Sequence, residues 1–176
     1  MKELIPLQLL LDQLKLAPLV PEGGMFALTN KSLQHTTAKN ILGNEQEHPL
    51  SSAIYYLLTT EADSFSAFHR LPADEVYHHY LGLPVTIYMI DQEGTLHIKT
   101  LGSEITAGQR PQIIVPAYAW QASHVVRSAG PASGYALLGT TMSPGYIDED
   151  FELGKRNQLV EVFPHHEEII TKLTRE

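Results

Sequence analysis

The sequence predicts an all-β fold, an antiparallel sandwich or barrel, in one domain that spans residues 1–176. Nine short β-prone runs follow one another along the chain. Turn-forming segments such as Leu-Pro-Ala-Asp and Asp-Gln-Glu-Gly separate them. No helical pattern stands between these runs, and many strands at short spacing without intervening helices are typical of antiparallel sheets.

The elements can be placed in order along the chain. An amphipathic helix comes first, because Leu4, Leu7, Leu11 and Leu14 recur at helical spacing. A short helix comes last, in PHHEEIITKLTRE, with Pro164 at its first position and acids in its first turn. The predicted strands between them are MFALTN (25–30), SAIYYLL (52–58), SFSAFHR (64–70), EVYHHYL (75–81), VTIYMI (85–90), LHIKTL (96–101), QIIVP (112–116), HVVR (124–127) and YALLGTT (135–141).

Composition excludes several classes of function. The net charge is −8, from 12 basic and 20 acidic residues, which argues against a nucleic-acid surface. The absence of cysteine excludes disulfides, thiolate zinc sites and cysteine nucleophiles. Glu3, Asp12 and Lys15 interrupt the leucine-rich N-terminus, so we do not interpret it as a signal peptide, and no stretch is long enough to span a bilayer. We therefore expect a cytoplasmic protein that binds neither nucleic acid nor membrane.

One stretch, FHRLPADEVYHHYLG (68–82), concentrates the residues that carry chemistry. A metal site would need His69 and Glu75 with His78 or His79 as a third ligand. An acid–base site would need only a histidine, an orienting carboxylate and a tyrosine or second histidine, which His69, Glu75, Tyr77 and His79 supply. Each histidine is alternatively a hydrogen-bonded structural residue. Strand alternation puts Glu75, Tyr77 and His79 on one face and His78 on the other, and a one-residue slip exchanges the faces.

The acidic run in YIDEDFEL has two interpretations. One is a solvated loop that carries Asp148, Glu149 and Asp150. The other is a strand that crosses to a partner subunit.

Two segments resemble the paired motifs of the cupin superfamily. The first motif ends in Glu, six residues and Gly, as in Glu75 and Gly82, with His69 at its second histidine position and Ala67 at its first. The second motif is carried by GQRPQIIVPAYAWQ, where Tyr118 stands at the usual glycine and Gln121 at the usual histidine.

More specifically, the chain resembles the fifth cupin family, long described as a domain of unknown function. Five blocks carry this resemblance in the right order between residues 21 and 154: PEGGMF, SSAIYYLL, FHRLPADEVYHHYLG, PQIIVPAYAWQA and LLGTTMSPGYIDEDFELG. Val20, Ala27 and Leu28 stand where polar or charged residues are common in the family. If those positions contact the ligand in relatives, this protein binds something different or has lost the activity.

The resemblance implies an RmlC-like double-stranded β-helix, a jelly-roll barrel with short N- and C-terminal helices, that assembles as a homodimer. It implies binding of a small polar or sugar-like metabolite, with metal-independent acid–base chemistry of the epimerase or isomerase kind. The alternatives are a non-catalytic binding or storage-like protein and a metal-dependent cupin enzyme. Since Ala67 and Gln121 replace two usual metal ligands, we predict no cofactor; the alternative is a divalent metal held weakly by His69, Glu75 and Gln121.

The cupin spacing favours the register in which Glu75 and His79 point inward, whereas the family pattern, in which position 78 is the recurrent histidine, favours the opposite register. The predicted catalytic residues are His69, Glu75, Tyr77 and His79. The predicted ligand-binding residues are Arg70, His78, Gln112, Trp120 and Gln121.

Overall fold

A computed structural model describes residues 5–126 and 134–175. Within them the chain forms two antiparallel sheets and a separate hairpin. Three sequence-based assignments lie outside the described residues: Leu4 of the first helix, Arg127 at the end of a predicted strand, and the turn at 129–131.

The strands are, in chain order, β1 (Ala17–Pro18), β2 (Met25–Lys31), β3 (His35–Lys39), β4 (Glu45–Pro49), β5 (Ser52–Thr59), β6 (Phe65–Arg70), β7 (Glu75–Gly82), β8 (Val85–Ile90), β9 (Leu96–Leu101), β10 (Gln112–Val115), β11 (Trp120–Val125), β12 (Tyr135–Met142) and β13 (Glu152–Leu153). One sheet has the order β1-β2-β5-β12-β7-β10, the other the order β13-β6-β11-β8-β9, and β3 pairs with β4 alone. The helices are α1 (Leu7–Leu14), α2 (Arg156–Val162) and α3 (Glu167–Lys172). Short 3₁₀ turns occupy Ile105–Ala107, Asp148–Asp150 and Pro164–His166.

The two large sheets enclose the main core. Their inward residues alternate along each strand and pack as one apolar cluster, in which Tyr56, Tyr77, Ile87 and Leu138 are almost completely buried. The outer face of each sheet is also covered. Leu10 of α1 packs on the six-stranded sheet, and the C-terminal helices pack on the five-stranded sheet. In the described part of the chain, no helix combines the length and the apolar character that a membrane span requires.

The fold confirms the all-β prediction and differs from it in detail. The hairpin of β3 and β4 was not predicted, because HTTAK and EQEHP are mostly polar and lack the alternating apolar residues of a half-buried strand. Strand β11 begins at Trp120 rather than at His124, since the stretch from Trp120 pairs with β8 on one side and β6 on the other. Helix α2 was likewise not predicted, and the last predicted helix divides into a 3₁₀ turn at Pro164 followed by α3.

Candidate functional site

A cavity of about 480 Å³ opens at one end of the barrel, where β5 and β7 begin and β6 and β12 end. Its volume is within the range of small-molecule sites. The wall is mainly apolar, with a few polar side chains among the apolar ones. The lining residues are Pro18, Leu19, Val20, Pro21, Glu22, Phe26, Leu28, Lys31, Ser52, Ala53, Ile54, His69, Leu71, Glu75, Thr140, Met142, Tyr146, Asp148 and Phe151.

His69 lies at the inner end of the cavity and is 1% exposed. Its Nδ1 is 2.8 Å from the Ala67 carbonyl oxygen, which can only accept a hydrogen bond, so Nδ1 carries the proton. The neutral ring therefore leaves Nε2 unprotonated. This Nε2 lies 3.9 Å from Glu22 Oε2 and 4.0 Å from Glu75 Oε2, beyond hydrogen-bond distance from both. Phe151 stacks on the ring with centroids 5.3 Å apart.

Glu75 begins β7 and points into the barrel, where only 7% of the residue is exposed. Gln121 Nε2 donates a 2.8 Å hydrogen bond to its Oε2, and the side chains of Thr140 and Tyr77 lie near this carboxyl group. Burial raises the pKa of Glu75, and the neighbouring His69 opposes that rise. Gln121 itself is 1% exposed, and its Oε1 has no hydrogen-bond partner among the described residues.

Glu22, the third polar residue of the site, lies in the loop between β1 and β2. Its Oε1 accepts a 2.7 Å hydrogen bond from the Ser66 hydroxyl. The next residue, Gly23, has φ +113, and a Cβ there would lie 2.2 Å from both the Arg175 side chain and the Phe65 carbonyl oxygen. Only glycine fits this position, so the Glu-Gly-Gly sequence holds the Glu22 carboxylate against the barrel wall.

Arg175, near the end of the described chain, fixes this loop from outside. Its guanidinium donates to three backbone carbonyls, at 3.2 Å to Glu22, 3.1 Å to Asp63 and 2.9 Å to Phe65. The guanidinium carbon also lies 4.2 Å from the centre of the Phe65 ring. One side chain thus ties the Glu22 loop to the start of β6.

The acidic run after β12 is exposed at Asp148 and Glu149 and buried at its third residue. Asp148–Asp150 form a 3₁₀ turn, and Asp150 is 1% exposed. Its carboxylate oxygens lie 3.1 and 3.2 Å from Nε2 of His48, a buried residue of β4. Tyr146, Asp148 and Phe151 beside this turn line the cavity. The buried pair therefore joins the β3–β4 hairpin to one wall of the site.

The structure adopts the register in which Glu75 and Tyr77 point inward. Tyr77 is 2% exposed, lies near Glu75 and does not line the cavity. His79 pairs with inward-facing Leu138, which keeps it on the same side of the sheet. His79 lies four residues beyond Glu75 in β7, roughly 13 Å along the strand. Its Nε2 is 3.1 Å from the Leu83 carbonyl oxygen. His79 is therefore separated from His69 and Glu75.

Four of the predicted ligand-binding residues lie outside the cavity. His78 and Gln112 are cross-strand neighbours on the outer face of the six-stranded sheet, with Gln112 Nε2 3.4 Å from His78 Nδ1. Arg70 pairs with Glu152 at 2.6 Å and lies 4.7 Å from the centre of the Trp120 ring. Trp120 packs with the buried cluster beneath the C-terminal helices. Gln121 contacts the site through Glu75.

The structure also shows where the three residues that depart from the family pattern lie. Val20 and Leu28 line the cavity mouth and are 82% and 57% exposed. Ala27 pairs with Tyr55 and does not line the cavity. Two of the three departures are therefore apolar side chains at the cavity entrance.

The donor set is a poor match for a metal. In residues 5–126 and 134–175, no group of three or more His, Cys, Asp or Glu side chains is arranged to hold a metal ion. One imidazole, two carboxylates and the amide of Gln121 are available, and Gln121 uses its amide nitrogen to bond Glu75. Its remaining amide oxygen is a weak neutral ligand. We derive no step through a metal.

Sequence reasoning did not single out Glu22, Thr140 or Tyr146. Glu22 stood inside a block that carries the family resemblance, PEGGMF, and its two glycines were a signal that the backbone there has a special conformation. Thr140 and Tyr146 enter the site through tertiary structure, and no local motif marks them.

An antiparallel double-sheet barrel with a ligand-sized cavity at one end and inward polar residues from β6 and β7 defines a cupin-type protein. The chain belongs to the Cupin superfamily (DUF985) family, whose model matches residues 8–154. It is similar to a hypothetical protein from Leishmania major, at 29% identity with a TM-score of 0.85, over 98% of this chain and 100% of that one. It is similar also to a protein from Shewanella oneidensis, at 33% identity with a TM-score of 0.82, over 98% and 99% of the two chains. No protein with a curated description matches the chain.

Proposed function

We propose that this protein binds a small polar or sugar-like metabolite in the cavity and that His69 acts there as a metal-independent base, in chemistry of the epimerase or isomerase kind. The observation that carries the proposal is the 2.8 Å distance between His69 Nδ1 and the Ala67 carbonyl oxygen. Because Nδ1 is committed to the Ala67 carbonyl at 2.8 Å, the unprotonated Nε2 belongs to the side of the ring that meets the cavity. A buried imidazole in this state can accept a proton from a bound molecule.

The surroundings of Nε2 suit it for that role. A proton that moves from a C–H or O–H of the ligand to Nε2 creates an imidazolium about 4 Å from two carboxylates, Glu22 and Glu75. Opposite charges at that distance stabilise the protonated ring. Hydrogen bonds from Ser66 and Gln121 hold the two carboxylates in place, so little reorganisation accompanies the transfer.

Epimerisation also needs a proton donor, and Tyr146 is the best candidate. It lines the cavity near Asp148. Burial raises the pKa of its phenol, so the hydroxyl is protonated across the ordinary pH range and can donate a hydrogen bond to the ligand. His79, which bonds to Leu83 away from the cavity, is not needed in this scheme.

The remaining expectations from sequence are part of the same proposal. We infer a cytoplasmic homodimer without a cofactor, whose partner is a small molecule rather than nucleic acid or membrane. The absence of cysteine and the net charge of −8 support this inference.

The test is retention of metabolites on the purified protein. Equilibration with a metabolite extract in D₂O, followed by mass spectrometry of what co-elutes, should reveal a retained molecule that gains deuterium at carbon. We expect His69→Gln to abolish deuterium uptake. His78→Gln, which changes a histidine on the outer face of the sheet, is the matched control and should behave as the unmodified protein does.

Two results would count against the proposal in different ways. Equal retention and equal deuterium uptake by the His69 and His78 variants would place the working residues elsewhere. Retention that depends on His69 without any deuterium uptake would make the protein a non-catalytic binder.

A further inference from the structure

The charged groups that face the cavity are unevenly balanced. Glu22 and Glu75 both lie near His69 Nε2, at 3.9 and 4.0 Å, and their side chains are only 13% and 9% exposed. A single imidazolium can counter one of these carboxylates. At the mouth, Lys31 and Asp148 carry opposite charges, and both are exposed to solvent. With both carboxylates ionised, the inner cavity is therefore acidic by at least one charge.

The cavity offers few groups that could receive an anion. Among the described lining residues, Lys31 is the only lysine or arginine, and it lies at the exposed mouth. Ser66 donates its hydroxyl to Glu22, and the amide nitrogen of Gln121 donates to Glu75, so two nearby polar donors are already occupied. A phosphate or carboxylate placed near His69 would meet two like charges without a buried cation to offset them.

The rest of the cavity wall is apolar and suits a ligand that has hydrocarbon surface. Phe26, Ile54, Leu71, Met142 and Phe151 line the same space as the carboxylates. Each carboxylate oxygen has more than one lone pair, so both can accept further hydrogen bonds from a ligand. The cavity thus combines acceptors at its inner end with hydrocarbon along its sides.

We infer that the cavity selects an organic ammonium ion, a small amine that places its N–H groups between Glu22 and Glu75 and its hydrocarbon part against the apolar wall. The inference rests on the proposed function, because it takes this cavity as the binding site and narrows the class of ligand. It separates the protein from cupins that act on sugar nucleotides, since those ligands carry phosphate.

The test compares three probes that share one ring and differ in charge: cyclohexylammonium, cyclohexanol and cyclohexanecarboxylate. Binding to the intact protein is followed by NMR of the histidine rings at fixed pH and ionic strength. We expect the ammonium to bind about tenfold or more tightly than the carboxylate, with the alcohol between them. Glu22→Gln should reduce that preference to about threefold or less. Glu149→Gln removes the same charge from an exposed position and should leave the preference unchanged.

The comparison of probes on the unmodified protein does not depend on whether a variant folds. Tighter or equal binding of the carboxylate would overturn the charge selection and leave the cavity as a binding site. Failure of all three probes to perturb the His69 ring would also overturn it. An ammonium preference that survives in Glu22→Gln but is lost in Glu149→Gln would show that binding occurs on the outer surface. Failure of the proposed function would be seen in a different measurement: the His69→Gln variant would retain metabolites as the unmodified protein does.

Discussion

The buried ion pair beside the cavity should be essential for stability. His48 Nε2 lies 3.1 Å from Asp150, and its Nδ1 lies 3.0 Å from the Gln46 carbonyl oxygen. Both ring nitrogens lie at hydrogen-bond distance from an oxygen, so the ring is held on both sides. Each side chain is 2% exposed. His48→Ala would leave the Asp150 carboxyl group buried without this partner.

Loss of one partner of a buried pair costs about 3–5 kcal/mol in the free energy of unfolding. For a chain of 176 residues this corresponds to a fall in melting temperature of roughly 6–20 °C.

The loss of stability in His48→Ala should depend on pH. Burial raises the pKa of Asp150, and the hydrogen bond and charge of His48 oppose that rise. Without His48 the pKa rises further, so the folded variant binds a proton that the unfolded chain has released.

A carboxyl group with a raised pKa in the folded state makes its full contribution to stability at low pH and loses it as pH rises through that pKa. The variant should therefore be most destabilised near neutral pH, and the difference from the unmodified protein should shrink as the solution becomes more acidic. Urea unfolding at several pH values measures this directly. His97→Ala breaks the exposed pair with Asp91 and is the control, with little expected change. If His48→Ala melts no lower than His97→Ala, the pair does not stabilise the fold.

Three further predictions concern metal content, assembly and the loop that carries Glu22. Elemental analysis of the purified protein should find no stoichiometric transition metal, and about one iron, manganese, nickel or zinc per chain, lost in His69→Ala, would contradict this. Light scattering should give twice the chain mass of 19.6 kDa, and a monomer mass at micromolar protein would refute the homodimer. Arg175→Ala should weaken ligand binding with only a modest loss of stability, because it removes the hydrogen bond to the Glu22 carbonyl oxygen and the two that anchor the guanidinium at Asp63 and Phe65; unchanged affinity would show that Arg175 does not position Glu22.

Much of the barrel could be predicted because β-prone runs bounded by turn-forming segments mark its strands. The inward register of β7 followed from the spacing of Glu75 and Gly82, and it is the register that the structure adopts. The hairpin of β3 and β4 could not be found in this way. It lies apart from the two large sheets, so its residues needed no apolar alternation.

The residues of the candidate site that lie close together in the sequence could be predicted. Those that come from distant parts of the chain could not. His69 and Glu75 lie six positions apart on consecutive strands, so one local motif contains both. The pairing of Gln121 with Glu75 depended on the second motif. The third group near His69, Glu22, comes from a loop 47 positions away from it, and its approach depends on sheet packing that no local pattern encodes.

The hydrogen bonds from Arg175 to the backbone of Glu22, Asp63 and Phe65 have a consequence for biosynthesis. Arg175 and Glu22 are 153 positions apart in the chain. A nascent chain on the ribosome can pair β2 with β5 long before residue 175 has been made, so its Glu22 loop lacks this clamp until residue 175 emerges. Premature termination upstream of residue 175 would yield a product with most of its barrel strands and a loosely held Glu22.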